Sequence, residues 1–99
     1  MLTLHNEFRD KLYQITNLSM KVNKNDKQKI MNMIKDHVEE IETLYNSNND
    51  HWSIETADLI VLCYELLIMQ DKDIDDVFSR CLPRFDKKLS MLEKIEESK

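Results

Sequence analysis

Four carboxylates at paired spacing are the residues of this sequence best suited to chemistry. Glu39 and Glu42 form one pair, and a second pair, Glu55 and Asp58, begins after twelve intervening residues. A spacing of three places two side chains beside each other on one face of a helix. Two such pairs on neighbouring antiparallel helices can converge on a hard divalent cation, because carboxylate oxygens suit Mg²⁺ and Mn²⁺. The candidate metal ligands are therefore Glu39, Glu42, Glu55 and Asp58.

Asp58 is the most informative of these acids because apolar residues flank it. It follows Ala57 and precedes the run 59–62, and a carboxylate in an apolar helix is costly unless it is hydrogen-bonded, paired or metal-bound. Structural roles compete with this interpretation. Glu55 also suits a first helical turn, where the helix dipole favours an acid, and the acids of the second helix also suit a solvated face. The occurrence of both pairs on consecutive helices favours a functional site.

Helices are expected to position these acids, because the chain has few of the residues that form the tight turns between β-strands. It contains no glycine and a single proline, Pro83, which disfavours a β-rich fold with its many glycine-containing turns. Apolar residues recur every three or four positions in four segments, separated by polar breaks near 23–26, 46–51 and 70–73. The sequence predicts one all-α domain over 1–99, a four-helix antiparallel bundle. Its first three helices are expected near 4–21, 25–45 and 52–69.

The apolar stripes predict which helix faces are buried. The stripe of the first helix is Leu4, Phe8, Leu12, Ile15 and Leu18, and that of the second is Met31, Ile34, Val38, Ile41 and Tyr45. The third helix is apolar almost all round, so we expect it to be central or at a dimer interface. Asn25 and Asp73 suit the N-caps of the second and fourth helices. Pro83 predicts a kink or break near 82–83.

Composition and charge exclude several functional classes. The formal net charge is −5, so nucleic-acid binding has no electrostatic support. The absence of glycine excludes a Gly-rich phosphate loop, so phosphate chemistry would need a metal or basic side chains. The longest apolar stretch, 59–69, contains Glu65 and is too short to span a membrane. Cys63 and Cys81 lie in apolar segments, which is typical of buried thiols in a reducing compartment, and we expect a cytoplasmic protein.

More than half of the chain, 33–88, resembles the MazG and phosphoribosyl-ATP pyrophosphohydrolase superfamily. The motif of that family is ExxE, a loop and then ExxD. It is matched here by Glu39-x-x-Glu42 followed by Glu55-Thr-Ala-Asp58. A fourth helix that begins Ile74-Asp-Asp-Val-Phe after a short acidic turn is also typical of the family.

The resemblance implies an all-α enzyme that hydrolyses a nucleoside triphosphate to the monophosphate and pyrophosphate with Mg²⁺ or Mn²⁺. In that mechanism the cations neutralise the phosphate oxygens, and a metal or carboxylate activates the attacking water. The remaining phosphate charge would be met by Arg84, Lys87 and Lys88. The family also forms its sites near subunit contacts. Because the third helix has more apolar surface than three neighbours can cover, we expect a homodimer or tetramer.

The register of the acidic pair on the second helix has three alternatives. The literal motif gives Glu39 and Glu42, whereas the loop length usual in the family gives Asp36 and Glu39. Matching the apolar face gives His37 and Glu40. Histidine is a poorer Mg²⁺ ligand than a carboxylate. The third register therefore favours the other functional hypothesis, a non-catalytic helical interaction or regulatory protein that kept the fold and lost the metal site.

Overall fold

Four α-helices joined by short turns make up the part of the chain that the structure describes. The structure is a computed structural model that describes residues 6–98. Its elements are α1 (Asn6–Val22), α2 (Lys27–Asn46), α3 (Trp52–Met69) and α4 (Ile74–Glu97). No β-strand occurs within 6–98. The predictions of an all-α chain, four helices and three polar breaks are confirmed, and the predicted stripe residue Leu4 lies outside the described residues.

The first three helices all end in a Schellman motif that contains no glycine. In this motif the residue after the C-cap adopts the left-handed conformation, and the next N–H bonds to a carbonyl five residues back. The left-handed residues are Lys24 (φ 56°), Asn48 (φ 58°) and Asp71 (φ 55°). The closing hydrogen bonds run from Asn25 N to Met20 O, from Asn49 N to Leu44 O and from Lys72 N to Leu67 O, each 2.9 Å. Asparagine and aspartate tolerate this conformation better than lysine does.

One predicted helix start is displaced by a residue. The N-cap of α2 is Asp26, whose carboxylate accepts a hydrogen bond from the Lys29 N–H at 3.1 Å. Asn25, the predicted cap, has a left-handed φ of 54°. Because Asn25 closes the turn that ends α1, it cannot adopt the extended conformation that an N-cap needs. At α4 the prediction is confirmed, since Asp73 accepts a hydrogen bond from the Asp75 N–H at 3.0 Å.

Helix α3 is the central element. It contacts each of the other three helices, most extensively α2, and no other pair of helices within 6–98 is in contact. Leu62 and Glu65 on α3 are buried. At one end of the α2–α3 pair, Trp52 packs edge-on against Tyr45 with ring centroids 5.5 Å apart. The α2–α3 hairpin therefore contains most of the tertiary packing of the single chain.

The face of α2 that packs on α3 is rotated from the predicted stripe. Ile30 is fully buried, and half-buried positions on the same face are Ile34, His37, Ile41 and Leu44. The predicted stripe residues Met31, Val38 and Tyr45 are 37%, 49% and 61% exposed. This rotation brings His37 into the hairpin.

Helix α1 buries a polar residue and exposes much of its predicted apolar stripe. Thr16 is fully buried, and its hydroxyl donates a hydrogen bond to the Tyr13 carbonyl at 3.0 Å. Phe8, Ile15 and Leu18 are each about half-exposed or more. The predicted apolar stripe is continuous along α1, but the face of α1 that packs on α3 is the neighbouring one.

Helix α4 extends away from the rest of the chain. It is one continuous helix with Pro83 inside it, so the predicted break does not occur. Proline deprives the Ser79 carbonyl of its helical donor, but both residues are exposed and water can replace the lost bond. Beyond Cys81 every described side chain of α4 is exposed. The radius of gyration is 16.7 Å, against about 13 Å for a compact chain of this length, so the bundle is open within one chain.

The cysteines lie nearer the surface than predicted. Cys63 is exposed, Cys81 is half-buried and both are free thiols, so the prediction of buried core thiols is wrong. Cys63 lies on a side of α3 that no other described helix covers. None of the helices within 6–98 is long and apolar enough to cross a lipid bilayer.

We expect Lys24→Gly to stabilise the fold by about 1 kcal/mol. A β-carbon in the left-handed region costs roughly 1–2 kcal/mol, and glycine removes it. Urea unfolding of the variant and the parent protein measures the difference. Lys21→Gly is the matched control, because the same substitution inside the last turn of α1 should destabilise by about 1 kcal/mol. Destabilisation by both changes would contradict the assigned role of Lys24.

Glu65 is a carboxylate buried without a hydrogen-bond partner. The residue is 1% exposed, and no described group bonds to its Oε2. An unpaired buried polar group is destabilising, so we expect Glu65→Met to raise the free energy of unfolding by about 1–3 kcal/mol. Chemical denaturation measures this, with Leu62→Met as a control that should change it by less than about 1.5 kcal/mol. A loss of stability in Glu65→Met would show that the carboxylate has a stabilising role.

Candidate metal centre

Three side chains that can bind a metal converge between α2 and α3. His37 comes from α2, and Glu55 and Asp58 come from the first turns of α3. One ligand atom from each residue lies within 4.8 Å of the other two. Ligand atoms that share a cation at about 2.0–2.2 Å are necessarily less than about 4.4 Å apart, so small side-chain adjustments would close the group around an ion. His37 and Glu55 are half-buried and Asp58 is exposed, which leaves one side open to solvent.

The local sequence explains why these side chains meet. His37 belongs to the face of α2 that packs on α3, together with Ile34 and Ile41. Glu55 and Asp58 are three residues apart and share a face of α3. The same face continues to Leu62, which is 7% exposed. The two acids therefore begin the face that buries Leu62 further along α3.

Both ring nitrogens of His37 have a defined neighbour. Nδ1 lies 2.8 Å from the Met33 carbonyl oxygen, which can only accept, so Nδ1 carries a proton and donates. Nε2 lies 3.3 Å from Glu55 Oε2. In the neutral ring with its proton on Nδ1, Nε2 presents a lone pair, and that lone pair faces another acceptor. The contact is attractive only when Nε2 carries a second proton or when both atoms bind a shared cation.

This hydrogen-bond pattern is the one that metal-binding histidines show. Such a histidine donates its other ring N–H to a carbonyl or carboxylate, which fixes its tautomer and its orientation. The Met33 carbonyl has this role for His37. The cluster therefore contains an oriented nitrogen that could bind a metal, as well as two carboxylates.

Glu55 lies between two histidines. Its other oxygen, Oε1, is 3.3 Å from His51 Nε2, and the Glu55 side chain is 12% exposed against 55% for His51. Each imidazole can hold the carboxylate by carrying a proton, and a cation can replace either interaction. Glu55 is thus the residue of the cluster that contacts both histidines.

The structure brings together two of the four predicted ligands, Glu55 and Asp58. Glu39 and Glu42 are exposed and lie outside the group of converging ligand atoms. At about 100° per residue, they lie roughly 200° and 140° around the axis of α2 from His37. Their role as ligands stays a prediction. Three registers were predicted for the pair on α2, and one of them is His37 with Glu40. In the structure His37 of that pair faces Glu55, whereas Glu40 is exposed.

The three predicted phosphate-binding residues lie together on a different element. Arg84, Lys87 and Lys88 line an open groove on α4 with Phe85 and Leu92 among its other residues. All three are exposed. No contact within the described residues places this groove beside His37, because α4 touches only α3 and leaves it after its first turns. Their role in substrate binding stays a prediction.

Sequence reasoning missed the contact of His51 and the burial of Glu65. The sequence predicts a surface position for His51, and the residue is exposed, but its spacing of four from Glu55 is the signal that predicts the contact. Glu65 interrupts an apolar run, which indicates burial but gives no information on its partner.

No protein-family model, curated protein or solved structure matches this chain. The resemblance to the MazG-like superfamily therefore rests on the motif residues, and the chemistry of the cluster must be argued from its own side chains.

We expect Asp58→Asn to abolish stabilisation by a divalent cation. Without metal, the variant should be as stable as the parent or slightly more stable, because the change relieves repulsion between Asp58 and Glu55. Thermal melts with and without Mn²⁺ or Mg²⁺ measure both effects, since a ligand that binds the native state raises its stability.

Glu42→Gln is the matched control for Asp58→Asn. It removes a carboxylate from the exposed face of α2 and should leave the cation effect intact. Loss of the effect in Glu42→Gln would instead support the literal motif register. A different outcome would show that the assignment of a metal site is wrong. In that outcome Asp58→Asn destabilises the fold by roughly 1–3 kcal/mol and the metal changes the melting temperature of neither the variant nor the parent protein, so Asp58 is a structural acid.

Proposed function

We propose that the protein hydrolyses a nucleoside triphosphate to the monophosphate and pyrophosphate, with a divalent cation held by His37, Glu55 and Asp58. The observation that carries this proposal is the convergence of the three ligand atoms, with His37 Nε2 only 3.3 Å from Glu55 Oε2. The choice of reaction comes from the resemblance of Glu55-x-x-Asp58 to the second half of the family motif.

The donor set favours Mn²⁺ over Mg²⁺. Mg²⁺ binds oxygen ligands almost exclusively and keeps several waters. Mn²⁺ shares the preference for carboxylates but belongs to the transition series, in which nitrogen ligands bind more strongly. Two carboxylates and one imidazole therefore fit Mn²⁺ better than they fit Mg²⁺. Replacing the family's glutamate by His37 is then a change in cation preference and not the loss of the site.

In the proposed reaction, a water oxygen forms a bond to the α-phosphorus and the bond to the α,β-bridging oxygen breaks. Pyrophosphate leaves with the electron pair, and the water proton passes to a base. A bound divalent cation would neutralise phosphate charge and lower the pKa of the attacking water. Asp58 is the exposed member of the cluster, so a polyphosphate can approach from its side. Glu55 lies 3.3 Å from both His37 Nε2 and His51 Nε2, so a protonated His51 would orient its carboxylate while His37 and Glu55 share the cation.

Arg84, Lys87 and Lys88 are the proposed contacts for the remaining phosphate charge. Because α4 leaves α3 beyond Cys81, these residues would reach a metal cluster only through an assembly of copies. This requirement agrees with the proposed homodimer or tetramer. We also place the protein in the cytoplasm, where its free thiols would remain reduced.

A non-catalytic interaction protein is the second candidate, and one observation favours it. Both oxygens of Glu55 already have a histidine neighbour at 3.3 Å. If His37 carries a proton on each nitrogen, the cluster is a satisfied structural ion pair that needs no metal. The protein would then keep the helical fold without the catalytic site.

Pyrophosphate release separates the two candidates. The full chain is incubated with canonical and modified nucleoside triphosphates and either Mn²⁺ or Mg²⁺. We expect turnover to be faster with Mn²⁺, to be lost in Asp58→Asn and to persist in Glu42→Gln. His37→Glu should shift the preference toward Mg²⁺, because it makes the ligand set all-carboxylate. No turnover under any condition, together with no metal-dependent rise in melting temperature, would favour the interaction protein.

A further inference from the structure

The exposed face of α4 carries a heptad pattern of apolar residues. Phe78, Phe85 and Leu92 recur every seven residues, and Leu82 and Leu89 alternate with them at spacings of four and three. These five side chains are 47–59% exposed. Apolar residues at alternating spacings of three and four are the pattern by which two helices pack knobs into holes.

This face is distinct from the one that α4 uses within the chain. The half-buried residues of α4 are Ile74, Val77 and Cys81, again spaced by three and four. They lie in its first turns, where α4 contacts α3. The helix therefore has two apolar faces, and the heptad face has no partner in the described part of the chain.

The exposed apolar area is close to what a stable interface needs. Six large apolar side chains on or beside the heptad face are about half-exposed, because Ile95 adds to the five of the heptad face. At very roughly 100 Å² each, they present on the order of 600 Å². This is at the upper end of the roughly 300–600 Å² of the largest patch on a typical monomer and is about three quarters of the roughly 800 Å² per partner that a standard interface buries.

The charges beside the heptad face select an orientation. With Leu82 and Leu89 at a positions, Asp86 and Glu93 occupy e positions and Lys88 occupies a g position. In a parallel pair, a g residue faces the e residue five positions further along the partner helix, so Lys88 would meet the partner's Glu93 on both sides. In an antiparallel pair, e positions face e positions and the two acids would meet acids.

We propose that α4 pairs with α4 of a second copy of this chain in a parallel, two-fold symmetric coiled coil. The proposal is independent of the metal cluster, because it uses no residue of α2 or of the start of α3. It assigns Lys88 to the interface in place of the phosphate contact proposed above, and it leaves Arg84 and Lys87 on the outer side of the pair. Within this dimer Arg84 and Lys87 do not reach a metal cluster, so their proposed phosphate contact requires a further contact between dimers, as in a tetramer. The two bodies formed by α1–α3 then lie at the same end of the paired helices.

The assembly is tested first by the mass of the full chain in solution. Light scattering at micromolar concentration should give twice the chain mass of 11.9 kDa. Leu89→Glu should raise the dimer dissociation constant by a factor on the order of 100 or more, because a charge replaces buried leucine in both copies. Met91→Glu is the matched control, since Met91 is 57% exposed against 59% for Leu89 but lies outside the a and d positions.

Retained helicity by circular dichroism shows that Leu89→Glu folds, as expected for a residue exposed in the single chain. A monomeric parent protein would overturn the proposal. Equal dissociation constants for Leu89→Glu and Met91→Glu would overturn it as well.

Cross-linking tests the parallel orientation. In a background with Cys63→Ser and Cys81→Ser, either Leu82→Cys or Leu89→Cys is introduced and the protein is mildly oxidised. A parallel pair in register brings identical a positions together, so both variants should form a disulfide-linked dimer. An antiparallel pair can bring together at most one of the two positions, so a dimer in which only one or neither cross-links overturns the proposal.

Charge reversal gives an independent measure of the same orientation. Lys88→Glu and Glu93→Lys should each weaken the dimer, and the double variant should restore it, because the pair is re-formed with its signs exchanged. Additive weakening in the double variant would show that these two residues do not meet.

Discussion

The packing of α2 on α3 is the interaction on which the rest of the structure depends. It contains most of the tertiary contact, buries Ile30 and Leu62 and brings His37 to within 3.3 Å of Glu55. Helices α1 and α4 each contact only α3, so their placement follows from that of the hairpin. A change that rotated α2 would therefore alter the candidate metal cluster and the core together.

The element pattern could be predicted from the sequence, but the face of α2 could not. Alternation of apolar segments and polar breaks gave the end of α1 and both bounds of α2 within two residues, and the bounds of α3 were predicted without error. The predicted break in α4 at Pro83 does not occur. Ile34 and Ile41 belong both to the predicted stripe and to the observed one. Periodicity alone therefore cannot decide which of the two stripes of α2 is buried. The choice depends on packing against α3, where Ile30 and Leu44 fit and Met31 and Tyr45 remain exposed.

The same ambiguity limited the prediction of the candidate site. Glu55 and Asp58 were predicted because both lie on α3, where the surrounding apolar residues make an acid informative. The partner from α2 depended on the face that α2 turns to α3, and three registers were compatible with the sequence. His37 belonged to one of them, but its carbonyl partner and the 3.3 Å approach of its Nε2 to Glu55 are properties of the packed hairpin.

The glycine-free helix ends bear on the order of folding and assembly. A left-handed asparagine at position 48 has fewer backbone states in the unfolded chain than glycine would have, so less entropy is lost when the turn forms. The turn joins two helices that are neighbours in sequence, and contacts of this kind form rapidly because only a short loop must close. The α2–α3 hairpin is therefore expected to form within each chain before chains meet. Subunit association would then be a separate, concentration-dependent step between bodies that are already structured.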